Sequence, residues 1–265
     1  MMQIRNNKEF SFGYTPITES EGRHAETLMD FGILKLREGA AHHFAPGKER
    51  ALLLLSGTLD VSADGVKTRI SRQSIFDQAP WCLHLSLETE AEVTAVGGEA
   101  EISAHATENP RRFPAKLYTP EECRSEERGK GTMRETSTRI VRTIIEDPRA
   151  PWSNLVLGEV ITFPGKWSSY PPHHHPQPEI YHYRFAPPGG FGFAAIGDEG
   201  CVVHNRDTIL IPPRAVHPQS AAPGYAMFYI WVIRHLDGDR YGVPTFVPEH
   251  SWVTDPAAKI WPEAR

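Results

Sequence analysis

The stretch SSYPPHHHPQPEIYHYRF, residues 168 to 185, places three consecutive histidines, a glutamate, three tyrosines and an arginine within eighteen positions. In a strand, residues two apart share a face, so His173 and His175 point one way while His174 points the other. Glu179 follows after three residues, and a strand starting there carries Tyr181 and Tyr183 on the same side. A fourth residue, His217, comes later in LIPPRAVHPQS, just after a proline-bounded turn. His173, His175, Glu179 and His217 together offer three nitrogens and one oxygen. That set suits a divalent ion, Zn first and Mn, Fe, Co or Ni besides, with positions open to a substrate. The competing reading is a polar loop that happens to be rich in histidine. His174 and His182 fall on the opposite face and stay outside the ligand set.

Outward from this stretch, short apolar runs alternate with turn residues. ALLLLSGTLDVSADG (51 to 65), LVLGEVITF (155 to 163), TILIPP (208 to 213) and AMFYIWVI (226 to 233) read as strands, and Asp64-Gly65 as a hairpin turn. One exception, TPEECRSEERGK (119 to 130), has the capping residues of a short helix. The charged segment 107 to 135 separates two halves with the same order of features, which predicts two successive small β-barrels joined by a short helical linker. The second half, 136 to 265, carries the complete ligand set. In the first, 1 to 106, His42 and His43 are adjacent and face opposite ways, and Glu49 is an isolated relic or a surface acid. That barrel is expected to be a scaffold without a complete metal site.

Composition narrows the partner. The 265 residues are 40% hydrophobic, enough for a real core, with a formal net charge of -5 and no basic stripe. Nucleic acid and anionic membranes are poor partners for such a surface, and a small molecule is the better expectation. No apolar run approaches the ~18 residues of a membrane span, and MMQIRNNKEFSFGYTP lacks an apolar signal core. Cys82, Cys123 and Cys201 are odd in number and form no CxxC pair, as in reduced, buried thiols. These features predict a cytoplasmic protein, and paired barrels with exposed edges predict a homo-oligomer.

The order His173-x-His175, three residues, Glu179 resembles the first metal motif of the cupins. Pro212-Pro213-Arg214-Ala215-Val216-His217 resembles their second, with Arg214 in place of a glycine. The likeness sharpens further: EVITFPGKWSSYPPHHH, PEIYHYRF, GGFGFAAI, HPQSAAPGYAMFYIWVI and PEHSWV resemble the bacterial 5-deoxy-glucuronate isomerases of myo-inositol breakdown, over nearly the whole chain. The resemblance implies an all-β bicupin, two double-stranded β-helix (jelly-roll) barrels. It implies a metal-dependent aldose-ketose isomerase that converts 5-deoxy-D-glucuronate to 5-dehydro-2-deoxy-D-gluconate without a redox cofactor. The related 4-deoxy-5-ketouronate isomerases share the metal set and are the nearest alternative. A metal-dependent cupin dioxygenase and a non-catalytic sugar-binding cupin are the others. Departures from the pattern bear on the substrate: the loop before Glu179 is reduced to Pro176, Gln177 and Pro178, His182 replaces a tyrosine, and Trp231 stands where an asparagine is usual.

Such an isomerisation moves a proton between neighbouring carbons, and the sugar's carboxylate needs a cation. Glu179, Tyr181, Tyr183 and Arg184 are the catalytic candidates. Lys166, Tyr170, Arg184, Gln219 and Tyr229 are the substrate-binding candidates, with Arg214 as a further cation. Strict alternation puts Arg184 opposite Glu179, so it reaches the site only through a bulge or twist. The general base stays open among a tyrosine, His182 and a metal-bound hydroxide.

Overall fold

Residues 3–262 are described by a computed structural model, and strands dominate it. Six strands of the first half form an antiparallel path: Lys116–Tyr118, Cys82–Leu85, Glu49–Ala63, Ala100–Thr107, Asp30–Leu36 and Gly13–Thr18. Strands Ala41–Phe44, Val66–Arg72 and Ala91–Ala95 branch from it to close the barrel. Glu49–Ala63 serves both faces, pairing first with Cys82–Leu85 and Ala100–Thr107, then with Val66–Arg72 and Ala91–Ala95. The change of partner falls at Gly57, where φ is +93° and a Cβ would lie 2.3 Å from the Glu99 carbonyl oxygen. Only glycine lets the strand turn this corner. The Asp64-Gly65 turn closes the hairpin as the sequence predicts, with Ala63 opposite Val66.

The second half repeats the plan. A seven-stranded sheet runs Gln3–Ile4, Thr208–Ile211, Glu179–Ala186, Ala226–Arg234, Leu155–Thr162, Arg139–Ile145 and Arg124–Arg128, opposed by a four-stranded sheet built from Trp167–Ser168, Gln219–Ala221, Phe191–Ile196 and Glu199–His204. Two details differ from the expected division. The strand Gln3–Ile4 crosses to the second half, and the segment 107 to 135 is largely absorbed, Lys116–Tyr118 into the first sheet and Arg124–Arg128 into the second. The helix expected over 119 to 130 does not form, and residues 119 to 123 make a single turn. Its cap forms, the Thr119 amide donating to Glu122 at 3.1 Å and the Cys123 amide to the Thr119 carbonyl at 3.2 Å. Propagation then stops because Arg124–Arg128 pairs along Arg139–Ile145. The sheet supplies more hydrogen bonds than an isolated turn.

Three apolar clusters hold the molecule. One fills the first barrel, one the second, and the largest lies between the two large sheets, where Phe31, Ile33 and Leu53 meet Leu157, Ile180, Phe228 and Ile230. Polar groups pin the same junction. Arg72 of the first half and Arg142 of the second both grip Glu159, at 2.6 and 2.7 Å, all three buried. Glu49 is neither relic nor surface acid. It is fully buried at this junction, where it accepts bonds from His84 (2.7 Å), Ser153 (2.5 Å), Asn109 (2.6 Å) and the Asn154 amide (2.8 Å). Burial alone would raise its carboxyl pKa, and the His84, Ser153 and Asn154 contacts reverse this and lower it. All three cysteines are free and buried. No helix of the described residues is long and apolar enough to cross a membrane.

Candidate active site

The second barrel opens into a cavity of about 520 Å³ whose floor carries His175, Glu179 and Tyr181. Donor atoms of His175, Glu179 and His217 lie within 4.8 Å of one another, and all three residues are buried. Glu179 begins its strand, and its Oε2 sits 3.0 Å from His175 Nε2 and 3.3 Å from His217 Nε2. His173 stands at the edge of this trio, its ring centroid 4.9 Å from that of His217. The short pairing of His173–His174 with Thr245–Phe246 fixes the histidine run, so it is no loose loop.

The two motifs are tied together by backbone. The Arg214 amide donates to the His175 carbonyl at 2.7 Å, and Arg214 holds φ at +66°. That is the left-handed conformation for which glycine is the usual choice, so the position keeps its shape although its residue differs. The Arg214 side chain is exposed and lies outside the cavity walls.

Ring tautomers follow from the outer contacts. His173 Nδ1 donates to the Pro171 carbonyl at 2.9 Å and His217 Nδ1 to the Ala215 carbonyl at 2.8 Å, which leaves each Nε2 as a lone pair. Burial, the main cause, pushes both rings down to about 4, so they are neutral at pH 7. His217 Nε2 therefore aims a lone pair at a carboxylate oxygen and has no hydrogen-bond partner among the described residues. Two acceptors face each other there, an arrangement that a cation between them relieves. The donor set fits a divalent metal ion.

The remaining candidates divide by face. Tyr181 and Tyr229 line the cavity with centroids 4.5 Å apart, and Tyr181 bonds Ser169 at 2.8 Å while Tyr229 bonds Ser168. Burial raises both phenols, which keeps them protonated. Tyr183 and Gln219 form the layer behind: the Tyr183 hydroxyl donates to Gln219 Oε1 at 2.6 Å, and Gln219 Nε2 donates to the His217 carbonyl at 2.7 Å. Lys166 and Tyr170 are half-buried outside the cavity, Tyr170 packing on Trp167 at 5.8 Å. Arg184 does not reach the cavity. Its strand runs in unbroken register beside Ala226–Arg234, without the bulge it needed, so the side chain stays on the inter-barrel face. There it pairs with Glu101 of the first half and bonds His182, which also contacts Thr208.

Several cavity residues escaped the sequence reading. Arg139 is buried in the wall, with its guanidinium on the Ser137 and Tyr170 carbonyls and no carboxylate partner among the described residues. Tyr241 packs on His175 at 5.0 Å, and its hydroxyl makes no protein hydrogen bond among the described residues. Trp231 forms another wall, lying so close to Gly158 that a Cβ there would sit 2.4 Å from the indole. The altered Trp231 thus comes with the room it needs.

Two barrels of this topology make the protein a bicupin. An oxalate decarboxylase from Lactobacillus farciminis, at 10% identity, shares the fold with a TM-score of 0.68 over 94% of this chain and 89% of its own. The chain belongs to the KduI/IolB family, whose model matches residues 3–253. A 5-deoxy-glucuronate isomerase from Halalkalibacterium halodurans is 28% identical, aligned over 93% of this chain and 96% of its own. One from Lacticaseibacillus casei is 27% identical, over 96% and 98%. An IolB-like protein from Salmonella typhimurium, 27% identical, superposes with a TM-score of 0.85 over 96% of this chain and 99% of its own. Matched end to end to such relatives, the protein is an enzyme of the isomerase class.

Proposed function

We propose that the protein is a metal-dependent aldose-ketose isomerase acting on 5-deoxy-D-glucuronate and forming 5-dehydro-2-deoxy-D-gluconate. The buried His175–Glu179–His217 cluster, with its unpartnered His217 Nε2, carries this reading. The name borne by the full-length relatives supports the substrate. His173, His175, Glu179 and His217 would hold the ion, which supplies Lewis acidity to the sugar's carbonyl and neighbouring hydroxyl. Arg139, a cavity cation free of any carboxylate among the described residues, is placed to receive the sugar's carboxylate. Tyr181 and Tyr229, protonated and joined through Ser169 at 2.8 and 3.4 Å, donate to the oxygens between which charge moves. Tyr241 offers a further free hydroxyl. Trp231, Val141 and Val160 give the cavity an apolar wall.

The test is a proton NMR time course with 5-deoxy-D-glucuronate in deuterated water, run on metal-loaded and chelator-treated protein. The expected result is loss of the aldehyde signal with one deuterium at the new hydroxymethyl carbon, only in the loaded sample. An unchanged spectrum with metal bound would remove this substrate, and equal turnover after chelation would remove the metal.

A further inference from the structure

The mouth of the first barrel holds a second cavity, of about 480 Å³, lined by Tyr14, His42, Phe44, Lys48 and Arg50 among others. Its place in the fold matches that of the active site. Glu179 and Arg50 are the first inward-facing residues of corresponding strands: Tyr181 and Tyr183 follow Glu179 into the interior of one barrel, and Leu52 and Leu54 follow Arg50 into the other. Where the second barrel has a carboxylate that suits a metal ion, the first has a guanidinium.

This guanidinium is uncommitted. Among the described residues Arg50 makes no ion pair; its contacts are the Ala45 carbonyl at 3.4 Å and the Phe44 ring, 5.2 Å from Cζ to the centroid. One neighbouring acid is already matched. Asp30 is held by Lys48 at 3.0 Å and by the Ser20 amide and hydroxyl at 2.7 and 2.9 Å. Glu19 and Glu21 stand exposed at the rim. Aromatic surfaces flank the arginine: His42 lies edge-on to Phe44 at 4.6 Å and 6.4 Å from Tyr14. Tyr14 covers Gly32, where a Cβ would be 2.6 Å from the phenol oxygen.

We infer that this cavity is a second ligand site, taking a small, singly charged hydroxylated carboxylate of sugar-acid size. The planar fork of Arg50 matches a carboxylate in bidentate fashion. The aromatic surfaces suit the C–H face of a sugar, and the volume lies within the range of small-molecule pockets. The rim glutamates accept hydroxyl hydrogens and repel a doubly charged phosphate. In this barrel a fixed side chain supplies the positive charge that an ion would supply in the other, so binding there needs no metal.

The experiment is an amide-resolved NMR titration of the intact, chelator-treated protein with D-glucuronate, and separately with inorganic phosphate. D-Glucuronate is expected to shift the amides of Ala45, Gly47 and Arg50. In Arg50→Gln that response weakens by about 10- to 100-fold, the loss of a charge-assisted bond, while the dispersion of the amide spectrum outside the cavity persists and reports an intact fold. Shifts confined to the catalytic cavity, or first-barrel shifts undiminished in Arg50→Gln, would overturn the site. An equal response to phosphate would overturn the carboxylate class. Should Arg50→Gln lose its dispersed spectrum, Arg50→Lys decides, since it keeps the charge and loses the planar fork: a weakened first-barrel response supports the site and an undiminished one sinks it. Since the readout is metal-free and local to the first barrel, its failure is separate from any failure of the isomerase reading.

Discussion

The interiors of the two barrels differ more than their strands do. The first is filled by Leu34, Leu52, Leu54, Leu83, Leu85 and Ile102, while the matching interior of the second holds Tyr181, Tyr183 and Tyr229 with Ser168, Ser169 and Gln219. Each buried leucine contributes about 1.5–3 kcal/mol and asks for no partner. Each buried tyrosine hydroxyl needs one, and all three have it. The same architecture thus gives one barrel with an apolar interior below a charged mouth, beside another whose interior is built of hydroxyls and imidazoles.

The largest expected effect separates these roles. His217→Ala removes the imidazole whose Nε2 lacks a protein partner, and turnover is expected to fall by about 10³-fold or more, several kcal/mol of transition-state stabilisation. Calorimetry should find the metal weakened in the same variant. Leu54→Ala in the first barrel does the reverse: it costs about 2–5 kcal/mol of stability and leaves the turnover of the folded fraction unchanged. A large fall in kcat for Leu54→Ala would break the division of labour.

Next comes the joint between the barrels. Glu159 neutralises two buried guanidiniums, Arg72 from one barrel and Arg142 from the other, so Glu159→Ala strands both charges. The expected loss is about 3–5 kcal/mol in urea unfolding. Both halves are expected to unfold in one transition in the wild type and to separate in the variant. A loss below about 1 kcal/mol would mean that the apolar contacts alone join the barrels.

What the sequence made legible was what local spacing encodes. His173, His175 and Glu179 stand within seven residues, so their nearness is local even though His173–His174 and Glu179–Ala186 are separate strands with His175 between them; the Asp64-Gly65 hairpin is equally local. What it hid depends on distant partners. The alternation argument already put Arg184 on the far face, but only the sheet register excludes the bulge that would have rescued it, and only the first barrel supplies its partner Glu101. Glu49 looked isolated because its partners Asn109, Ser153 and Asn154 are 60 to 105 positions away. Arg139 and Tyr241 reach the cavity from strands and loops with no motif of their own. The capping signal at Thr119 closes a turn and not a helix, and nothing local says that a strand takes over at Arg124.

The smallest expected effect sharpens the account of the tyrosine layer. Tyr183 does not line the cavity, yet its hydroxyl holds Gln219, whose amide holds the carbonyl of His217. Tyr183→Phe keeps the ring and its packing and leaves Gln219 Oε1 buried without a donor. The expected cost is about 1–3 kcal/mol in urea unfolding, because an unsatisfied acceptor forfeits its solvation as well as its bond. If Tyr183 acts only through this chain, kcat falls while KM for the sugar stays unchanged, since the chain ends on the His217 backbone and not on the substrate. Metal affinity should drop with kcat, through the loosened His217. A rise in KM with metal affinity intact would instead put Tyr183 in contact with the sugar, and the second barrel's hydroxyl layer would then be binding surface and not support.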